Sequence, residues 1–283
     1  MPDHVLTEEP LQFGEGSRLF GILTIPSMPP RNAQPLPVFV FLSAGLLHRV
    51  GPARLHVRLA RELARLGFSS LRVDLAGRGD SPPRPALTTN QQSVAADHEE
   101  IVRILESRLG RLPVVLAGLC SGADNAIRLT ITDRRVVGMI LLDPICFPED
   151  GTRTRTVFMK YTNPARYVGW LRRWFKALTA PPGEREERFD PLTLRDLPTR
   201  EQLRAAFESI REREGQVLCV FTQYAPQYYN RTGQLGRVLD VEGYRHFCTE
   251  RFWPQAEHTY SLESHRRRLI DEVKTWAAGY LRS

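Results

Sequence analysis

The sequence predicts an α/β fold, with a mostly parallel central sheet, helices on both faces and an inserted helical lid. Three observations carry this expectation. Short apolar runs alternate with segments whose leucines recur at helical spacing, the pattern that feeds a parallel sheet. Residues 114–126, VVLAGLCSGADNA, pass from an apolar strand through a glycine-flanked turn directly into a helix. Residues 150–215 then break the alternation with a composition rich in Arg, Trp and Pro, which reads as the lid.

Taken in order, residues 11–26 read as an antiparallel hairpin turning at Gly14 to Gly16. Residues 36–42, LPVFVFL, are apolar throughout, as expected of a strand buried on both faces. Leu55, Leu59, Leu63 and Leu66 recur at helical spacing, and Gly67 closes that helix. Residues 68–75 form the next strand and end in the turn-rich AGRGDSPPRP. Val94, Ile101, Leu105 and Leu109 mark a second helix, stopped by Gly110. A third strand over 113–117 enters the glycine-flanked turn, with a helix from about Ala123. Residues 136–142, 216–221 and 246–253 read as further strands, the last by alternation. The closing helix carries Leu269, Ile270, Val273 and Trp276, with Ser264 as its expected cap.

The chain has 283 residues, 42% hydrophobic and 25% charged. That suits a single globular domain over 1–283 with the lid as its insertion. No segment reaches the roughly 18 uninterrupted apolar residues of a membrane helix. The opening MPDHVLTEEPLQF lacks the basic and apolar blocks of a signal peptide. A cytoplasmic protein without membrane insertion is expected. Cys120, Cys146, Cys219 and Cys248 have no metal-type spacing, so reduced thiols and neither metal nor other cofactor are expected. The net charge is +7, with arginine far outnumbering lysine. This reads either as solvated surface or as attraction to an anionic partner, such as an acyl carrier protein or a coenzyme A ester. Helix-turn-helix, zinc-finger and RNP-type patterns are missing from the sequence, so nucleic acid is not an expected partner. The sequence contains no internal repeat.

Gly118-Leu119-Cys120-Ser121-Gly122 has the G-x-nucleophile-x-G frame of a strand-to-helix elbow, with cysteine where serine is usual. Such an elbow strains its central residue, and the positions two before and two after it have to be small. Centred on Cys120 they are Gly118 and Gly122; centred on Ser121 they are Leu119 and Ala123, and the leucine would crowd the turn. Cys120 is therefore the expected nucleophile. Ser121 is expected to offer its backbone N–H to an oxyanion, so alanine there should cost little. The blander alternative is a buried structural cysteine in a glycine-rich turn.

The base should lie in a loop just ahead of the closing helix, and of the seven histidines only His258 has that placement. The strand after the lid runs into Thr222-Gln223-Tyr224-Ala225-Pro226 without a carboxylate. The acid is therefore expected at the preceding strand end, at Asp143, with Asp240 and Asp124 as alternatives. The second oxyanion donor is expected at the N–H of Leu46, where Gly45 gives the backbone room to turn beside the substrate. In the lid, Trp170 and Trp174 are expected to line an acyl channel while neighbouring arginines face an anionic carrier. The alternative is an amphipathic lid packed on the body with its arginines solvated.

The stretches AGLLHRVGPARLHVRLARELARLGFSSLRVDLAGRGDS, GLCSGADNA and AEHTYS resemble bacterial α/β-hydrolases of the serine-aminopeptidase-like superfamily. They are especially similar to the cysteine-elbow group found with exopolysaccharide or exosortase gene sets. The likeness spans 10–149 and 216–283, and it implies an α/β-hydrolase fold with a Cys120–His258–Asp143 triad. A cysteine nucleophile suits thioesters and activated esters, because its acyl-thioester intermediate stays reactive towards water, amines and hydroxyls. The expected activity is thus an acyl-thioester or ester hydrolase or acyltransferase working through acyl-Cys120. A second reading is a catalytically weak protein of the same fold whose lid recognises a ligand or partner.

Overall fold

The computed structural model describes residues 6–27, 35–45, 47–84, 89–162 (backbone only over 158–162) and 196–281. Among them a single eight-stranded sheet runs through the molecule. Its strands are β1 (Leu6–Phe13), β2 (Leu19–Pro26), β3 (Val38–Leu42), β4 (Ser70–Asp74), β5 (Val114–Leu119), β6 (Val136–Leu142), β7 (Gln216–Thr222) and β8 (Cys248–Trp253). Their spatial order is β1-β2-β4-β3-β5-β6-β7-β8. The hairpin β1–β2 joins β4 antiparallel, and every pairing from β4 across to β8 is parallel.

Between the strands lie α1 (Leu55–Arg65), α2 (Asn90–Leu109), α3 (Ser121–Thr132), α4 (Thr152–Thr162), α5 (Arg200–Glu212), α6 (Gln234–Leu239), α7 (Tyr244–Phe247) and α8 (Glu263–Ala277). The two faces of the sheet follow the period of two along its central strands. Val38, Val40 and Leu42 of β3 join Val114 and Leu116 of β5 in a core closed by α2, α3 and α5. Phe39, Phe41, Val115, Ala117 and Leu119 join the opposite core, closed by α1 and α8. Each of these Val, Leu and Phe side chains contributes about 2 kcal/mol on burial, more than a typical surface ion pair. All parallel strands therefore end on one edge, where their loops converge.

Several boundaries differ from the sequence reading. The hairpin begins at Leu6 rather than at residue 11, and a short 3-10 turn, Glu15–Ser17, joins its strands. Helix α3 starts at Ser121, immediately after Cys120, rather than near Ala123. His246 belongs to α7, and β8 begins only at Cys248. Ser264 lies inside α8; the cap position is Leu262, whose N–H donates to Glu257 Oε1 at 2.7 Å. The helix thus carries no side-chain cap, and Glu257 from the preceding turn fixes the backbone at its entry instead.

The largest correction concerns the stretch expected to be the lid. Its carboxyl portion is α5, opened by a Thr199–Gln202 capping box and packed on α3. Leu203, Ala206, Phe207 and Ile210 are fully buried in the core, so 200–212 are part of the body. Trp170 and Trp174 lie outside the described residues. No helix among the described residues is long and apolar enough to cross a membrane.

Candidate active site

Cys120 stands between β5 and α3 with φ 56° and ψ −122°, a conformation strained for a residue with a side chain. The chain turns this sharply because both flanking glycines leave no room for more. A Cβ on Gly118 would sit 2.2 Å from the carbonyl carbon of Gly122, and one on Gly122 would sit 2.9 Å from the Leu42 oxygen. The elbow is fastened on both sides: Cys120 N–H donates to Leu142 O (2.9 Å), and Cys120 O accepts from Ala123 N–H (2.9 Å). Ser121 is already the first residue of α3, so the strained centre is Cys120.

On β6, the chain continues past Leu142 into Asp143, itself at positive φ and only 4% exposed. Its Oδ2 accepts from Nδ1 of His258 at 2.7 Å. A carboxylate only accepts, so Nδ1 carries the hydrogen and the other ring edge is turned towards Cys120, whose side chain also hydrogen-bonds His258. Burial works against the charged imidazole, but the bonds to Asp143 and Cys120, together with the charge of Asp143, outweigh it. The His258 pKa rises to about 9. Tyr224 stacks on the imidazole with ring centres 3.7 Å apart and 12° between planes.

Thr222 closes β7 at the position where the sequence offers no acid. Its N–H donates to Asp143 Oδ1 (2.6 Å) and its hydroxyl to Asp143 Oδ2 (2.7 Å). The carboxylate is thus supplied by one strand and aimed by the next. Of the alternatives, Asp124 is buried in α3 and accepts from Ile145 N–H (3.3 Å), while Asp240 is exposed beyond α6. Of the other described histidines, His98 bonds Asp133, His265 bonds Glu257 and His48 bonds Asp80, while His56 is buried at the start of α1 and His246 lies in α7.

The loop after β3 approaches the elbow. Gly45 has φ 51°, and its N–H donates to Ser121 Oγ at 2.7 Å. The Ser121 hydroxyl therefore anchors this loop, a part the sequence reading did not give it. Its N–H, as the first of α3, has no acceptor inside the helix. Leu46, the other expected donor, lies outside the described residues.

The same loop is braced from below by Asp74, which ends β4 and is completely buried. Asp74 accepts from the N–H and guanidinium of Arg49 and from Asp80 N–H (3.1 Å). A side chain at Gly79 would collide with that carboxylate at 2.3 Å. His48, Asp74 and Asp80 converge as metal ligands do, but the Arg49 guanidinium bonds all three and supplies the cation itself. Thr222, Tyr224 and this brace escaped the sequence reading. The only signal for the first two was their place at the end of a parallel strand, on the edge where such folds keep their sites.

Solved structures share this architecture. A dienelactone hydrolase from Anabaena variabilis aligns over 98% of this chain and 99% of its own, with TM-score 0.55 and 13% identity. Est1E from Butyrivibrio proteoclasticus aligns over 98% and 99%, with TM-score 0.53 and 14% identity. An α/β serine hydrolase homologue from Coxiella burnetii aligns over 95% and 96%, with TM-score 0.51 and 15% identity. Likeness at such identity establishes the fold, that of an α/β-hydrolase. No curated protein matches the chain in sequence. The sequence pattern of the Hydrolase_4 family, described as serine aminopeptidase, S33, matches residues 44–204. That span covers more than half of the chain and includes the elbow, the Asp74 brace and Asp143, so the chain belongs to the S33 serine aminopeptidase-like family of α/β-hydrolases.

Proposed function

We propose that the chain is an ester or thioester hydrolase or acyltransferase working through an acyl-Cys120 intermediate. His258 and Asp143 would complete a Cys-His-Asp triad. The observation that supports this reading is the placement of Cys120 at the strained elbow, hydrogen-bonded to an imidazole that Asp143 orients from behind. The Cys120 thiolate attacks the carbonyl carbon and forms the C–S bond. The resulting oxyanion is met by the N–H groups of Ser121 and Leu46. Collapse expels the alkoxide or thiolate, which takes the proton carried by His258. Neutral His258 then draws a proton from water or another acceptor, whose oxygen or nitrogen attacks the thioester, and breaking the C–S bond restores the Cys120 thiolate beside the protonated His258.

Asp143 fixes the ring so that one nitrogen faces the sulfur throughout. The lid would lie between α4 and α5, with Trp170 and Trp174 along the acyl channel and a carrier protein or coenzyme A at its mouth. The family and the esterase-type neighbours favour acyl chemistry over simple ligand binding. Intact-mass measurement with a panel of acyl thioesters and p-nitrophenyl esters tests the reading. An acyl adduct that maps to Cys120 and vanishes in Cys120→Ala is expected; an adduct elsewhere, or none across the panel, overturns it. Selective alkylation alone is less telling, since Cys146, Cys219 and Cys248 are buried and Cys120 is not.

A further inference from the structure

Arg49, Arg78 and Arg84 lie on the loops that follow β3 and β4, and Arg78 differs from the other two. Arg49 bonds the carboxylates of Asp74 and Asp80, and Arg84 bonds those of Asp97 and Glu100. Arg78 meets no carboxylate among the described residues. Its Nε donates to the carbonyl of Gly45 (2.9 Å), and its Nη2 reaches Asn90 Oδ1 at 3.4 Å, both neutral acceptors. Asp97 stands near enough to be felt, but its two oxygens already accept from Ala76 N–H and Arg84. Burial penalises the Arg78 cation and lowers its pKa, yet a guanidinium keeps its charge in any protein site. The Nη1 hydrogens are engaged by no bond among the described residues.

The turn that presents this side chain is tight, with Gly77 at φ 76°, Gly79 at φ 51° and Arg78 N–H bonded to Leu75 O (3.0 Å). Its target is the loop that faces the elbow. Gly45 receives Arg78 on its carbonyl and gives its N–H to Ser121, next to Cys120. Two hydrogen bonds and one residue therefore separate the guanidinium from the Ser121 hydroxyl, a reach of at most about 9 Å. A half-buried fork with no carboxylate partner among the described residues, within that reach, matches the size of a short acyl or alcohol moiety that ends in an anion.

We propose that Arg78 is an anion-binding residue of this site, and that the preferred substrate carries a carboxylate or phosphate a few bonds from the scissile carbonyl. The inference rests on the acyl-transfer reading and narrows it to a substrate class. A fork that is already oriented by Gly45 forms a bidentate pair with such a group at little further cost in side-chain freedom.

The test compares p-nitrophenyl butyrate with mono-p-nitrophenyl succinate and p-nitrophenyl phosphonoacetate, which separate neutral, carboxylate and phosphate-type arms. The wild-type protein is expected to prefer one of the anionic esters. Arg78→Gln should raise KM for that ester by about tenfold or more, leave kcat within about threefold, and spare the neutral ester. Arg78→Lys should recover part of the loss. No preference for either anion, or an equal loss on all three esters in Arg78→Gln, overturns the proposal and makes Arg78 a brace of the Gly45 loop. Calorimetric binding of the intact esters to Cys120→Ala, with and without Arg78→Gln, needs no chemistry. If no ester is turned over, the acyl-transfer reading fails, while this binding arm still decides the anion site. Melting temperatures of all variants separate unfolding from loss of recognition.

Discussion

Thr222 and His258 donate to the same carboxylate oxygen, Asp143 Oδ2, each at 2.7 Å. Removing the threonine hydroxyl leaves Asp143 charged but less firmly aimed. Thr222→Val is expected to lower kcat by about tenfold with KM little changed. Asp143→Asn should lower it by about three to four orders of magnitude, because the imidazole loses both its orientation and its tautomer. Steady-state kinetics on one activated ester checks both; equal effects of the two substitutions would dissolve the distinction between supplying the carboxylate and aiming it.

The raised pKa of His258 makes two statements about pH. For the proposed chemistry, the imidazolium that would protonate the leaving group persists up to about pH 9, so acylation is expected to fall above that value. In Asp143→Asn the alkaline limb should move towards lower pH, since the main opponent of the burial penalty is gone. For stability, the folded value exceeds the ordinary 6.5. The contribution is therefore complete below pH 6.5 and is lost as pH rises towards about 9. Urea midpoints at several pH values, for wild type and His258→Gln, should converge at the alkaline end.

Cys120→Ala should abolish the acyl adduct while the fold persists. Ser121→Ala keeps the N–H but deprives Gly45 N–H of its acceptor, a loss of about 1 kcal/mol or more if the loop cannot turn to water. A fall in kcat/KM of about tenfold is expected, where the sequence alone suggested almost none. An adduct that survives Cys120→Ala and disappears in Ser121→Ala would reverse the roles of the two residues.

Gly118→Ala places a methyl 2.2 Å from the backbone of Gly122, and no side-chain motion relieves such a clash. The expected cost is about 3 kcal/mol or more, seen as a lower denaturant midpoint together with lost activity. Retained stability would mean that the elbow opens more easily than its packing indicates.

His56, at the start of α1 beneath the loop that follows β3, is an acid-sensitive point of the fold. It is 3% exposed, stacks on Phe41 and lies under Gly51, and its Nδ1 has no partner among the described residues. Burial, aided by the charge of Arg72, lowers its pKa to about 4 against a bond to the Arg49 backbone. The unfolded chain binds the proton first, so stability is full above pH 6.5 and falls by on the order of 3 kcal/mol as pH drops to about 4. In His56→Phe that slope between pH 6.5 and 4 should flatten in thermal melts; an unchanged slope would assign acid sensitivity to other groups.

How much of this was legible depends on whether a feature leaves a local mark. Strands buried on both faces did, as with residues 38–42 and 136–142, because burial on two sides demands unbroken apolar runs. The elbow did, because its strain admits only small residues at 118 and 122. Asp143 was singled out because no carboxylate follows the strand over 216–221, and His258 because its loop precedes the last helix. Thr222 and Tyr224 were not, since a threonine and a tyrosine after a strand look alike whether they hold a carboxylate or merely pack. Helix α5 was absorbed into the lid because its arginine-rich outer face hid the buried Leu203, Ala206, Phe207 and Ile210. Ser264 misled for a related reason: the acceptor at that helix end comes from Glu257, outside the window in which caps are read.

The carboxylate of Asp74 holds Arg49 from one loop and Asp80 from the other. The two segments are consequently one exchangeable part. A chimera that imports a relative's 43–52 without its 74–81 would leave a buried anion facing the wrong neighbours, whereas importing both carries the fastening along with the loops. Recombination between relatives should therefore tolerate crossovers on either side of this pair and reject those that fall between them.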